Sequence, residues 1–191
     1  MPAIEDPPDR PLQTARLLLR RPLAGDFERF AEMLGDDASA RHIGGVLPRA
    51  AAWRRFLQMP GAWAVQGFAM FSVVERASGR WIGQTGPWFP EGWPGTEVGW
   101  SFHRDAWGQG YAREAATAAI DWTFAHLDWS EVIHSIDPDN AASIRLAERL
   151  GARYRGPGTL PEPFADAKIG IWVQTREQWM ARRGTRNPEC P

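Results

Sequence analysis

Hydrophobic and polar positions along the chain follow two periods, about two and about 3.6 residues, which predict strands and amphipathic helices respectively. Short apolar or alternating runs predict strands at 15–22, 68–75, 81–85, 96–102, 132–136, from Tyr154, and 168–174. Helical spacing predicts helices at 23–34, 50–59, 112–127, 140–150 and 176–183. Pro60-Gly61 is expected to end the second helix, and Gly151 the fourth.

The order of these elements indicates an α/β fold. The turn at 77–79 joins the second and third strands into an antiparallel hairpin, whereas a helix separates the fourth strand from the fifth. Because parallel strands need a crossover connection, we expect a mixed sheet between two layers of helices, with parallel pairing only at a crossover. We expect one domain over 15–183, a flexible lead-in over 1–14 and a flexible tail over 184–191.

Composition and charge exclude several classes of protein. The 191 residues carry a net charge of −1 without a dense Lys/Arg cluster, which does not fit a general nucleic-acid binder. No apolar run approaches the ~20 residues that span a bilayer, and the acidic, proline-rich N-terminal segment is unlike a signal peptide. Cys190 is the single cysteine and the histidines lack ligand spacing, which argues against a metal site. We expect a cytoplasmic protein.

A glycine-rich stretch, WGQGYA at 107–112, lies between the predicted strand 96–102 and helix 112–127. Glycines let consecutive backbone N–H groups converge in front of the positive end of a helix, so a phosphate or pyrophosphate is one guest. A tight turn without a ligand is the alternative. The single lysine, Lys168, follows Ala167, which excludes a P-loop, and Arg113 stands where a dinucleotide fingerprint needs its third glycine.

Three motifs in sequence order, TEVGW at 96–100, WGQGYAREA at 107–115 and DPDNAAS at 137–143 followed by LAERLGA, resemble the acyl-CoA-binding half of the GNAT superfamily of N-acyltransferases. The resemblance is to the ribosomal-protein N-acetyltransferase (RimJ/RimL-type) branch and covers about 16–179. It implies a three-layer α/β/α fold in which a fourth strand, bulged at Gly99, opens a V-shaped slot for acyl-CoA. It also implies acetyl-CoA as cosubstrate and an amine as acceptor.

The same resemblance assigns residues to the cofactor. Backbone N–H groups of a pyrophosphate loop are expected from Gly108, Gln109, Gly110, Tyr111 and Ala112, with a side-chain contact from Arg113. Trp107 departs from the family's Arg or Gln at the start of this loop. Trp100 and Phe102 are expected to border the cofactor on the fourth strand. For Asn140 two roles are open, capping its helix and binding the pantetheine amide.

The implied chemistry is direct attack of a neutral amine on the thioester, with a backbone N–H near Trp100 or Ser101 polarising the carbonyl oxygen. Glu97 is the candidate base, with a structural carboxylate paired to an arginine as the alternative. Many relatives carry a tyrosine acid where this chain has Ala147. Ser143, one turn after Asn140, either assists the leaving thiolate or only orients CoA.

The acceptor is the least defined part. Three tryptophans border the acceptor side in this family and either hold the amine or anchor loops: Trp63, Trp88 and Trp93. The predicted function is acetyl transfer to a primary amine of a protein N-terminus or a small molecule. A non-catalytic CoA-binding or sensor domain, and transfer of another acyl group or an activated amino acid, are the alternatives. A homodimer through the tryptophan-rich surface is open.

Overall fold

The computed structural model describes residues 11–184. The strands are β1 (Leu12–Gln13), β2 (Leu17–Arg20), β3 (Phe71–Glu75), β4 (Trp81–Trp88), β5 (Glu97–Phe102), β6 (Glu131–Ile136), β7 (Arg153–Gly158) and β8 (Ile169–Thr175). The helices are α1 (Phe27–Gly35), α2 (Asp37–Ala40), α3 (Arg49–Phe56), α4 (Gln58–Gln66), α5 (Tyr111–His126), α6 (Ala141–Leu150) and α7 (Arg176–Gly184). The strands form one mixed sheet in the order β1-β2-β3-β4-β5-β6-β8-β7.

Helices cover both faces of this sheet. Ile82 points to the face on which α5 packs, together with Leu19 and Val73 from the neighbouring strands. Its neighbour Trp81 points to the opposite face, because successive side chains of a strand alternate, and packs there with Phe30 in the cluster formed by α1 and α3. The predicted three-layer α/β/α arrangement is confirmed.

The sheet contains a gap between β5 and β6. These strands form the one parallel pair within residues 11–184, and α5 crosses over between them as predicted. β5 pairs with β4 in unbroken register from Phe102 to Glu97, but with β6 it pairs only at Glu97 opposite Ile133. Beyond that pair β5 and β6 diverge, which produces the predicted V-shaped slot without a shift of the β4–β5 register at Gly99.

The prediction that Pro60-Gly61 ends a helix is wrong. α3 ends at Phe56 and α4 begins at Gln58, so Pro60 lies in the first turn of α4. The N–H groups of a first turn have no partner within their helix, so proline is tolerated there.

Two further boundaries differ from the prediction. β4 continues through Pro87 to Trp88 instead of ending at residue 85. Pro87 has no N–H, but the β4–β5 pairing loses no hydrogen bond there, because the carbonyl of its partner Val98 points away from β4, toward His134. At the N-terminus, Leu12–Gln13 pair with β2, so the lead-in predicted over 1–14 is too long. Residues 1–10 and 185–191 of the predicted flexible ends lie outside the described range.

Candidate active site

The gap between β5 and β6 opens into a cavity of about 770 Å³, within the usual size range of small-molecule sites. Side chains alternate along β5, so Glu97 and Ser101 point to the sheet face of α1 and α3, and Trp100 points to the face of α5 and α6. All three residues line the cavity. The cavity therefore passes through the sheet and has one wall on each face.

Glu97 occupies the first of these walls. It is 6% exposed, and Trp93 Nε1 donates a hydrogen bond to its Oε2 at 2.6 Å. Burial raises the pKa of Glu97 to about 7, and the hydrogen bond from Trp93 opposes part of that rise. No arginine within residues 11–184 forms an ion pair with it, so the alternative of an arginine-paired carboxylate is wrong. A carboxyl group with a pKa near 7 exchanges a proton readily at neutral pH.

Trp100 and Ser143 occupy the opposite wall. Trp100 Nε1 donates to Ser143 Oγ at 3.2 Å, which links β5 to the first turn of α6. Because the serine oxygen accepts a hydrogen bond from the indole N–H, the serine O–H remains available to donate to a group in the cavity. The structure thus brings Ser143 to the cavity but on the face opposite Glu97.

His134 joins the two strands where the gap begins. Its Nδ1 lies 2.7 Å from Val98 O, and Gln174 Nε2 lies 3.3 Å from its Nε2. Both contacts are hydrogen bonds only when Nδ1 carries the proton and Nε2 accepts from the amide of Gln174. Burial lowers the pKa of His134 to about 4, so the imidazole is neutral at neutral pH. The ring also packs against Trp100 at 4.8 Å between centroids.

Asn140 begins α6 and lines the cavity. Its Oδ1 accepts a hydrogen bond from the backbone N of Ser143 at 3.1 Å, so the capping role is present. Its amide nitrogen makes no hydrogen bond to any residue in the described range, which leaves a donor for a ligand. Capping and ligand binding are therefore compatible, since they use different atoms of the side chain.

The glycine-rich loop has the backbone that an anion site needs. Gly108 and Gly110 adopt φ of 74° and 79°, the left-handed region that favours glycine, and Gly110 directly precedes α5. Arg16 Nη1 donates to Gln109 O at 2.9 Å, so the carbonyl faces the arginine. The side chain of Tyr111 is buried and donates to Glu75, so this residue can reach a ligand only through its backbone.

Arg113, in the first turn of α5, lies beside the glycine-rich loop and is exposed. It lines a shallow cleft with three other arginines: Arg149, Arg182 and Arg183. Arg183 is paired with Asp121, and the remaining excess of arginines gives the cleft a positive potential beside Arg113.

Eight predicted site residues do not line the cavity, namely residues 108–113 of the glycine-rich stretch together with Trp63 and Phe102. Trp63 is 5% exposed and belongs to the core, where its ring packs on Phe71 and Trp122 and its Nε1 donates to Met70 O. Phe102 is also a core residue, and its carbonyl accepts from Trp107 Nε1. Trp63 is therefore not part of an acceptor site.

The other two tryptophans do line the cavity. Trp88 and Trp93 stand edge to face with ring centroids 6.4 Å apart. Trp93 also binds Glu97, so it acts on the carboxyl group as well as on the shape of the wall.

Several cavity residues were not predicted from the sequence. His134 and Ser135 lie in the predicted strand 132–136, where polar residues among apolar ones were a signal that the strand faces a site. His42 Nδ1 lies 2.7 Å from Asp137 Oδ2; partial burial acts to raise the pKa of Asp137, but the hydrogen bond with His42 contributes to a net lowering. Arg55 lines the same cavity, and its pattern in the sequence is that of an ordinary helix surface.

Residues 11–184 lack a metal-binding cluster and a membrane-spanning helix. They contain no group of three or more histidine, cysteine and acidic side chains arranged to hold a metal ion. Within the same range, every helix falls short of the length and apolarity that crossing a bilayer requires.

Comparison with known proteins agrees with this geometry. The chain belongs to the GNAT acetyltransferase family, whose domain model matches residues 16–153. The protein YkkB of Bacillus subtilis is 38% identical over 90 residues, which span 46% of this chain and about half, 52%, of that relative.

Solved structures share the fold. An acetyltransferase from Agrobacterium tumefaciens superposes with a TM-score of 0.77 at 26% identity, covering 87% of this chain and 94% of that one. A ribosomal-protein-S5-alanine acetyltransferase from Vibrio fischeri superposes with a TM-score of 0.68 at 20% identity, covering 90% and 99%. The family inferred from the three motifs is confirmed, and the ribosomal-protein branch is represented among its structural neighbours.

Proposed function

We propose that the protein transfers an acetyl group from acetyl-CoA to a primary amine by direct attack. The observation that carries this proposal is one cavity with a buried carboxyl group on one face of the sheet and a serine hydroxyl on the other. The pKa of Glu97, about 7, suits a general base, and the placement of Ser143 suits contact with the leaving sulfur.

Several residues support a position for acetyl-CoA in front of α5 and along β5. The left-handed glycines Gly108 and Gly110 orient backbone N–H groups in front of α5, as binding of a pyrophosphate requires. Arg113 and its arginine cleft supply positive charge beside it. The pantetheine arm would then run along the open edge of β5, with Asn140 donating to one of its amides.

Backbone alternation along β5 supports one oxyanion donor. Val98 O points toward β6, where it accepts from His134, whereas Gly99 O points toward β4, where it accepts from Thr85. Because backbone groups alternate in direction, the N–H of Trp100 points toward the gap like the carbonyl of Val98. This N–H has no strand opposite it, so it can polarise the thioester oxygen.

In the proposed reaction the amine nitrogen attacks the acetyl carbon, a C–N bond forms and the C–S bond breaks. Glu97 takes the proton that the amine loses. Ser143 donates a hydrogen bond to the departing sulfur, and the thiolate takes its proton from solvent. Full proton transfer from Ser143 is not required, because a thiol pKa of about 8.5 makes the thiolate a good leaving group.

Incubation with acetyl-CoA and a panel of amines, with release of free thiol as readout, tests the proposal. We expect turnover on at least one amine, and thermal protection by CoA alone. Failure of millimolar CoA to bind or protect would refute it. Tight CoA binding without turnover on any amine would favour the alternative, a sensor domain. Mass spectrometry of thioesters retained on purification tests the choice of acyl group.

A further inference from the structure

Arg55 is a cation in the cavity without an acidic partner. It lies near the end of α3, on the sheet face of Glu97, and no carboxylate within residues 11–184 reaches ion-pair distance of it. Its Nη1 donates to Ile43 O at 2.6 Å, and its guanidinium carbon lies 5.8 Å from the ring centroid of Phe164. Burial lowers the pKa of Arg55, but an arginine stays charged at any physiological pH.

The other charged groups of the cavity do not neutralise it. Asp137 is paired with His42, and Glu97 is hydrogen-bonded to Trp93. The remaining charged side chains at the cavity are exposed: Arg41, Glu91, Asp139, Glu162, Asp166 and Lys168. Arg55 is half-buried, and charges withdrawn from water in proteins are mostly paired.

The guanidinium is also held in position. A Cβ atom on Gly44 would lie 3.1 Å from Arg55 Nη1 and 3.0 Å from Phe164 Cε1, so glycine leaves just enough room between turn and ring. With Nη1 on Ile43 O, the edge formed by Nε and Nη2 has no hydrogen bond to any described residue. Two parallel N–H groups on a fixed plane match the two oxygens of a carboxylate.

We propose that Arg55 binds a carboxylate of the acceptor, so that the acceptor is a small-molecule amine that also carries a carboxylate. This inference rests on the proposed acetyl transfer and narrows its substrate. Arg55 and Glu97 line the same wall, so the carboxylate binds at Arg55 while the amine faces Glu97. The transferred groups and the proton balance are those of the proposed reaction.

The test compares amino acids of increasing chain length, from glycine to aminohexanoic acid, with alkylamines of the same length. The kcat/KM of each pair is measured at several pH values, so that equal amounts of free amine are compared. We expect the best amino acid to exceed its alkylamine by about 10-fold to 100-fold, the usual contribution of a hydrogen-bonded charge pair. Arg55→Gln is expected to bring the kcat/KM of the best amino acid down to about that of its alkylamine.

Arg54→Gln is the matched control, because Arg54 is the adjacent arginine of α3, is exposed and does not line the cavity. Arg55→Lys keeps the charge but loses the paired Nε and Nη2 donors, so it should retain part of the preference for the amino acid over the alkylamine. This variant replaces Arg55→Gln in the test if Arg55→Gln does not fold. Equal rates on acids and alkylamines in the unmodified protein would overturn the inference and leave acetyl transfer intact. Absence of turnover on every amine would instead refute the proposed function.

Discussion

Replacing Glu97 with Gln should remove activity and at the same time stabilise the protein above neutral pH. In the folded chain, burial raises the pKa of this carboxyl group from 4.5 to about 7, so the ionised form is disfavoured. The unfolded chain ionises near 4.5. Between these two pH values the folded state holds the extra proton, so the free energy of unfolding falls as pH rises through the window.

The size of this effect follows from the two pKa values. A rise from 4.5 to about 7 corresponds to ~3 kcal/mol, lost in full above the upper value. Glutamine does not ionise, so it makes no pH-dependent contribution to the free energy of unfolding. Its side-chain oxygen can still accept the hydrogen bond from Trp93. The unfolding free energy of Glu97→Gln relative to the unmodified protein should therefore grow by up to ~3 kcal/mol between pH 4.5 and above pH 7.

Urea denaturation of both proteins across this range measures the difference. The difference is needed because His134 acts in the opposite direction: its pKa falls from 6.5 to about 4, so its stabilisation is lost as pH falls through that window. His134 is present in both proteins, so its contribution to the unfolding free energy cancels in the difference. A difference that does not change with pH would refute the raised pKa of Glu97, and with it the argument for this residue as base.

Three further predictions concern the rest of the site. Ser143→Ala should lower kcat by 10-fold or more with little loss of CoA affinity, and unchanged kcat would remove Ser143 from the chemistry. Gly110→Ala should weaken CoA binding and cost about 1–2 kcal/mol of stability because of its positive φ; Gly79→Ala, with φ of 68° in the turn between β3 and β4, should cost similar stability without changing CoA affinity. Trp93→Phe removes a hydrogen bond that lowers the pKa of Glu97, so the midpoint of the pH–kcat/KM profile should move upward; a downward or absent shift would contradict this.

The proposed cofactor side of the molecule could be predicted from the sequence because its requirements act on residue type at fixed local spacing. The sequence shows glycines at positions 108 and 110, where the backbone needs a positive φ. It also shows an asparagine, Asn140, at the position that caps α6. The family motifs added Glu97 and Ser143, and the structure brings both to one cavity.

The acceptor side could not be predicted in the same way. Arg55 is one of two adjacent arginines on α3, and only the packing of the 41–44 turn and of Phe164 against it distinguishes it from Arg54. The prediction that Trp63 borders the acceptor was wrong for the same reason. A tryptophan near a loop can line a site or fill the core, and contacts with Phe71 and Trp122, distant in sequence, decide for the core.

Because the cavity passes through the sheet, its two walls are subject to different constraints on amino-acid substitution. One wall contains Trp100, His134 and the start of α6 and is the proposed cosubstrate side, while the other is built by α1, α3 and the segment around Phe164. The walls come from different parts of the chain and meet at β5 and β6, where His42 also contacts Asp137 just after β6. Substitutions on the second wall can therefore alter which amine is accepted while the cosubstrate side stays intact, a route by which one fold serves many acceptors.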